Sequence, residues 1–283
     1  MPTSAAAYPI LDPASPIDPS TAALRATQCA LVIMAKAPRP GNVKTRLSPP
    51  LSIDQAAAVS ISFLKDTAES LQLCIPATAT QNANLNGHPA AASSATGVVS
   101  YTPTGDEALF DGLLPAGFSL IPQRGDNFGE RLLFTAQDIL ACGYRSVCLI
   151  DSDSPTVPVS VYQQAVEALQ APGDCKERVI LGPSLDGGYY LIGLTHPHHE
   201  PFSSINWSTS TVAAETRDRC HSAGLELIEL PLWYDVDDAE AIALITAELL
   251  RNQTPPFTEA IGYAAPHTRA FLYQLQQQGS LKL

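Results

Sequence analysis

Two pairs of aspartates frame the chemistry that this sequence can carry. Asp151-Ser152-Asp153 closes the apolar run SVCLI, and Asp235-Val236-Asp237 follows the run LELIEL after a short Pro/Trp/Tyr segment. Carboxylates at the tip of a buried strand are costly unless paired or bound to a cation. On an extended chain, residues i and i+2 point the same way, so Asp151 and Asp153 are placed to share one divalent ion. Hard oxygen ligands suit Mg²⁺ or Mn²⁺, and such an ion bridges readily to a diphosphate. Asp153, Asp151 and Asp237 are therefore the candidate metal ligands, with Asp235 a weaker one. The competing reading is helix capping: by the first pair at the helix after Pro158, and by Asp237 or Asp238 at a helix opening at Ala239.

A third segment is cationic. Lys36, Arg39, Lys44 and Arg46 put 4 of the 16 basic residues into one Pro/Gly loop of an otherwise acidic chain. A glycine-containing loop between strand and helix presents N–H groups and cations to phosphates; the alternative is an ordinary solvated basic loop. Neither GxxxxGK[ST] nor GxGxxG is present. Asp186-Gly187-Gly188-Tyr189-Tyr190 sets two glycines beside a carboxylate, which lets backbone approach a bulky ligand closely or simply makes a turn. The loop from Gln123 to Arg131 leads into a helix start suited to an anion or a sugar, with a Glu130–Arg131 surface ion pair as the other reading. Trp207 stands before a helix, either as a platform for a second substrate or beside a plain cap at Ser208 or Thr209. His196, His198 and His199 read as a surface turn rather than a zinc site, and the GxSxG nucleophile elbow is absent.

These loops need a scaffold that gathers them. Continuous apolar runs alternate with helical patterns: strands at 29–35, 146–150, 178–181, 189–194 and 225–230, and helices at 52–73, 128–142, 159–170, 209–223, 239–251 and 267–278. Shorter strands are expected at 77–80, 98–101 and 118–122. Ser52 with Gln55 has capping-box spacing. Strands apolar on both faces alternating with helices predict a three-layer α/β/α fold with a mostly parallel mixed sheet. Ligands of such sheets gather at the carboxyl ends of the strands, where every polar loop above falls. The 283 residues, 45% of them apolar, suffice for one large domain over 28–283. The Pro/Ser/Ala-rich residues 1–27 read as a flexible tail, and the low-complexity stretch at about 75–105, with no charged residue between Ser70 and Gly105, as a disordered insertion.

The net charge of −12 argues against a nucleic-acid polymer as partner. No apolar run approaches the ~18 residues of a membrane span, and the first 25 residues lack the pattern of a secretory signal. Six cysteines without a CxxC pair read as free thiols of a reducing cytoplasm, a zinc or disulfide framework being the alternative. The sequence sets no oligomeric state.

In order, the segments MAKAPRPGNVKTRL, QRGDNFGERL, LIDSDSP, GPSLDGGYYLIGL, WST and DVDD resemble a bacterial family of GT-A-fold nucleotide-diphospho-sugar transferases. Its members are associated with arsenosugar biosynthesis and are relatives of the small guanylyl- and cytidylyltransferases. The resemblance spans about residues 29–250. It implies a Rossmann-like GT-A fold and a nucleotide or nucleotide-sugar partner. Ala35, Lys36, Pro40, Gly41, Lys44, Arg46, Gln123, Gly129 and Arg131 would then lie on the nucleotide side, with Asp153 as metal aspartate and Asp237 as a second ligand. Asp186, Gly187, Gly188, Tyr189 and Trp207 would face the sugar or acceptor, with Asp186 and Lys44 the catalytic candidates. Family members usually carry Gly where this chain has Asp151. The expected activity is metal-dependent glycosyl transfer. The alternatives are nucleotidyl transfer, joining an NTP to a phosphorylated metabolite with release of pyrophosphate, and a non-catalytic nucleotide-binding module.

Overall fold

The computed structural model describes residues 8–75, 94–171 and 177–279. Seven strands form one sheet: β1 (Gln28–Lys36), β2 (Ser94–Thr102), β3 (Ser119–Pro122), β4 (Ser146–Ile150), β5 (Arg178–Pro183), β6 (Tyr189–Leu194) and β7 (Glu226–Glu229), in the order β3-β2-β1-β4-β6-β5-β7. The apolar run of β1 is buried on both faces, and its alternation divides the core. Leu31 and Ile33 join Phe63, Leu71 and Tyr162 on one side, while Ala30 and Val32 join Leu132, Ala136 and Ile139 on the other. Helices α2 (Ile53–Gln72), α4 (Val159–Gln170), α6 (Ala239–Arg251) and α7 (Pro266–Gln277) supply the first layer. Helices α3 (Phe128–Ala141) and α5 (Val212–Ser222) supply the second. This is the expected α/β/α sandwich.

Strand β6 alone runs against its neighbours. It is antiparallel to both β4 and β5, whereas β1 pairs in parallel with β2 and β4, and β5 with β7. Two reversals restore the direction, so β1, β4, β5 and β7 all end on the same edge. The basic loop, the Asp151 loop, the Asp186 turn and the Asp235 segment converge there as a consequence of topology.

Two features depart from the expected scaffold. Residues 8–27 do not behave as a tail. Leu11 N–H donates to Leu120 O and Leu120 N–H to Pro9 O at 2.8 Å, which prolongs the sheet beyond β3. Asp18 then caps a short helix, α1 (Pro19–Arg25), by accepting from the Ser20 and Thr21 N–H groups. Arg25 lies over the Tyr144 ring at 5.0 Å. Second, the strand expected at 98–101 is present but longer: β2 begins at Ser94 and lies between β3 and β1, so residues 94–102 are not part of a disordered insertion. The expected strand at 77–80, the rest of the insertion to residue 93 and Cys175 lie outside the described residues. The other five cysteines are free thiols.

The expected capping box forms at the start of α2, with Ser52 and Gln55 each accepting from the other's backbone N–H. Farther along α2, buried Asp66 accepts from the N–H groups of His267 and Thr268 at 3.0 and 2.7 Å. It thereby caps α7 from another helix; Ala265, at the cap position, has no side-chain oxygen to do so. Glu69 adds a contact to His267 Nε2 at 2.8 Å.

Candidate functional site

The basic loop after β1 is held by its apolar residues. Val43, Leu47 and Leu51 are buried, and Arg39 is spent on an ion pair with Asp106. Between these anchors Lys44 takes a left-handed backbone conformation, φ 49°, and turns inward until its side chain is 5% exposed. Its Nζ donates to Val236 O at 2.8 Å and to Asp237 Oδ1 at 2.6 Å, and pairs with Asp153 Oδ2 at 2.9 Å. Burial disfavours its charge, but Asp153 and Asp237 outweigh that cost and hold its pKa above the ordinary lysine value. Val236 N–H in turn donates to Asp153 O at 2.9 Å. Three loops are thus tied at one ammonium. Beside it lies a cavity of about 270 Å³ lined by Lys36, Asn42, Lys44, Arg46, Ser60 and both aspartates.

A second cavity of about 510 Å³ shares Arg46, Asp153 and Asp237 with the first and adds Asp151, Asp186 and Asp235. Asp151 accepts from Ser154 Oγ at 2.7 Å through one oxygen, and its other oxygen is buried with no hydrogen-bond partner among the described residues. Burial, then the neighbouring Asp153, pushes its pKa well above the carboxylate range. Asp235 accepts from Ser184 Oγ at 2.8 Å. Burial, with Asp186 nearby, raises it to about 6. Asp186 accepts from Gly188 N–H at 2.8 Å. The turn requires Gly187: its φ is 89°, and a Cβ there would sit 2.0 Å from Ser210 O.

The far wall of this cavity is aromatic. Trp207 meets Phe128 edge-on, with centroids 5.2 Å apart, and Tyr189 at 6.4 Å. Gly129 makes room for the indole, since a Cβ there would lie 2.6 Å from Trp207 Nε1.

The structure therefore brings together Lys36, Lys44, Arg46, Asp151, Asp153, Asp186, Gly188, Tyr189, Trp207 and Asp237. It treats the other expected residues differently. Ala35 is a buried strand residue, and Pro40 and Gly41 are exposed on the outer part of the loop. Gln123 Nε2 bonds Ser100 O, and Arg131 donates to Gly125 O. None of these five lines either cavity. Gly129 and Gly187 act through the neighbours they admit.

The capping alternatives also resolve. The cap position of α4 is Pro158, and Asp238 rather than Asp237 caps α6. Glu130 accepts from Asp126 N–H. Thr209 bonds Asn206 O and leaves α5 to begin at Val212. The chain bends after Asp151, so strict i, i+2 alternation does not hold there: Asp153 faces Lys44, whereas Asp151 turns to Ser154. The residues that sequence reasoning missed are Asn42, Ser60, Ser184 and Phe128. An exposed phenylalanine at a helix start was the one available signal.

Asp153 and Asp237 converge on the Lys44 ammonium at 2.9 and 2.6 Å, which brings two carboxylates from different loops to one place. Two carboxylates with open space beside them suit Mg²⁺ or Mn²⁺, which are often held by one or two carboxylates plus substrate phosphates. Among the described residues, three groups of metal-ligating type come within 4.8 Å of one another only at Asp66, Glu69 and His267. There Asp66 is engaged in capping. The loop histidines form no such group.

A crystal structure from Desulfovibrio desulfuricans G20, described as a "putative nucleotide-diphospho-sugar transferase", matches with a TM-score of 0.66 at 28% identity over 88% of this chain and 95% of that one. The chain has the nucleotide-diphospho-sugar transferase fold. Residues 85–209 match the family model "Uncharacterized protein conserved in bacteria (DUF2064)". The resemblance read from the motifs is thus borne out. CMP:2-keto-3-deoxy-manno-octonic acid synthetase complexed with CTP matches at 13% identity, TM-score 0.48, over 80% of this chain and all of that one. Rv0371c from Mycobacterium tuberculosis H37Rv, in complex with manganese, matches at 13% identity, TM-score 0.44, over 77% and 96%. No curated protein matches the sequence. No helix among the described residues of this transferase fold is long and apolar enough to cross a membrane.

Proposed function

We propose that the chain is a metal-dependent transferase that binds a nucleoside diphosphate sugar and passes its glycosyl group to an acceptor. One observation carries the reading: a basic cavity and an acidic, aromatic-walled cavity meet at Arg46, Asp153 and Asp237. The diphosphate belongs on the basic side, where Lys36 and Arg46 offset its charge and Lys44 holds the two aspartates in place beside it. Asp153 and Asp237 would hold Mg²⁺ or Mn²⁺. When bound, the ion supplies electrostatic stabilisation of the departing diphosphate.

The sugar spans the junction, and the acceptor enters beside Trp207. Asp186 is the residue we assign to take the proton from the acceptor hydroxyl as its oxygen bonds to the anomeric carbon and the bond to the nucleoside diphosphate breaks. Most of the rate enhancement comes from positioning and from fixed charge. Gly187 contributes by letting Ser210 close against the Asp186 turn, and Ala213 N–H donates to Gly187 O at 2.8 Å.

The test is to incubate the chain with Mn²⁺ and, separately, with the common nucleotide sugars and NTPs, and to identify the released product. Nucleoside diphosphate from a nucleotide sugar, lost in Asp153→Asn, is expected. Pyrophosphate from an NTP and a sugar phosphate would assign nucleotidyl transfer instead. Turnover that EDTA leaves unchanged would remove the metal from the scheme.

A further inference from the structure

We infer that the second substrate is a hydroxyl-bearing ring without a phosphate, seated with an apolar face on Trp207 and its hydroxyls on Asp186 and Asp235. This rests on the transferase reading above and adds the chemical class of the acceptor. Two observations carry it. The first is charge: the 510 Å³ cavity is lined by five aspartates against a single basic residue, Arg46. Even with Asp153 and Asp237 engaged by a cation, Asp186 and Asp235 remain, and a phosphate monoester there meets like charge at short range. Such repulsion, in the intermediate dielectric of a cleft, weakens binding by about tenfold or more.

The second observation is shape. Phe128 and Tyr189 each meet Trp207 edge-on, so the wall is aromatic throughout but stepped, and Phe128 is 48% exposed at a helix start. An apolar aromatic wall opposite carboxylates matches a ring that carries C–H bonds on one side and hydroxyls at its edge.

The inference also separates the two cavities by task. The polyanion goes where Lys36, Lys44 and Arg46 lie, and the neutral partner goes where carboxylates and rings lie. Joining an NTP to a phosphorylated metabolite would require both substrates to be polyanions, and only one of the two cavities is basic.

Trp207 provides the readout, because the other tryptophan, Trp233, is 1% exposed. The full chain in Mn²⁺ buffer is titrated with a panel of phenyl glycosides while tryptophan emission is followed. Methyl glycosides and hexose 1-phosphates then serve as competitors. At least one phenyl glycoside should change the emission saturably, a change lost in Trp207→Phe. Methyl glycosides should compete at least about tenfold better than hexose 1-phosphates. Asp186→Asn combined with Asp235→Asn should narrow that gap.

Hexose 1-phosphates that compete as well as neutral glycosides would overturn the inference, as would a panel in which no neutral glycoside reaches Trp207. Nucleotide-induced thermal shifts in the same samples keep the two claims apart. A Mn²⁺-dependent shift beside tight hexose 1-phosphate binding sinks the acceptor class alone, and absence of any nucleotide shift sinks the transferase reading itself.

Discussion

Replacing Lys44 with methionine tests the junction on which both cavities depend. The ammonium makes three contacts: Val236 O at 2.8 Å, Asp237 Oδ1 at 2.6 Å and Asp153 Oδ2 at 2.9 Å. The charge-assisted bond to the carbonyl is worth about 1.5–3 kcal/mol. The aspartate side chains are 31% and 44% exposed, so they rehydrate when the lysine goes, and each ion pair adds only about 0–1 kcal/mol. Methionine recovers part of this because it carries no charge into a buried position. The net loss is about 2 kcal/mol, a fall in Tm of about 4–8 °C for a chain of this size.

The sign reverses for metal. With the ammonium gone, Asp153 and Asp237 face each other without a counter-ion, so Mn²⁺ should stabilise the variant by at least about 1 kcal/mol more than it stabilises the wild type. Thermal melts in EDTA and across a Mn²⁺ series measure both effects. A variant that melts with the wild type in EDTA, or that gains nothing extra from Mn²⁺, refutes the assignment of Lys44 as the group that gathers the two aspartates.

Three further outcomes are expected. Gly129→Ala should push the Trp207 indole from its seat, raising the apparent KM for acceptor and costing about 1–3 kcal/mol by overpacking, a fall in Tm of several degrees; steady-state kinetics well below the melt separates the two. Asp66→Ala should release the N-terminus of α7, costing about 1–2 kcal/mol, and hydrogen exchange should rise first in the opening turn of α7. Glu248 accepts from Tyr234 Oη, and burial raises its pKa above 4.5. The folded state therefore binds its proton more tightly than the unfolded state does, and stability falls as pH rises through that raised value. Glu248→Gln should melt with the wild type at acid pH and above it at alkaline pH. The same difference at every pH would contradict this.

Much of the scaffold was legible because burial on both faces of a strand leaves an apolar run such as CALVIMA, and caps such as Ser52 with Gln55 act within four residues. The direction of β6 was not, since its run YYLIGL reads alike forwards and backwards; pairing with β4 and β5 decides it. The start of the chain misled for another reason. Asp18-Pro19-Ser20-Thr21 carries a proper helix start, but the surrounding Pro/Ser/Ala composition obscured it.

At the site, the loops that end strands were identifiable from their residue types. Their individual duties were not. Lys44 meets Asp237 across 193 positions of sequence, and no local pattern encodes that contact. Gln123 and Arg131 have the chemistry for a ligand but spend it on Ser100 O and Gly125 O, a choice fixed by tertiary placement.

The bond between Asp66 and the first turn of α7 joins positions 201 and 202 residues apart. The same helix brings Ser60 to the basic cavity. During synthesis, that helix leaves the ribosome long before its clasp exists, with a carboxylate aimed at a partner not yet made. Nucleotide should therefore fail to rescue nascent chains stalled short of residue 268, and competence should arrive late and in one step.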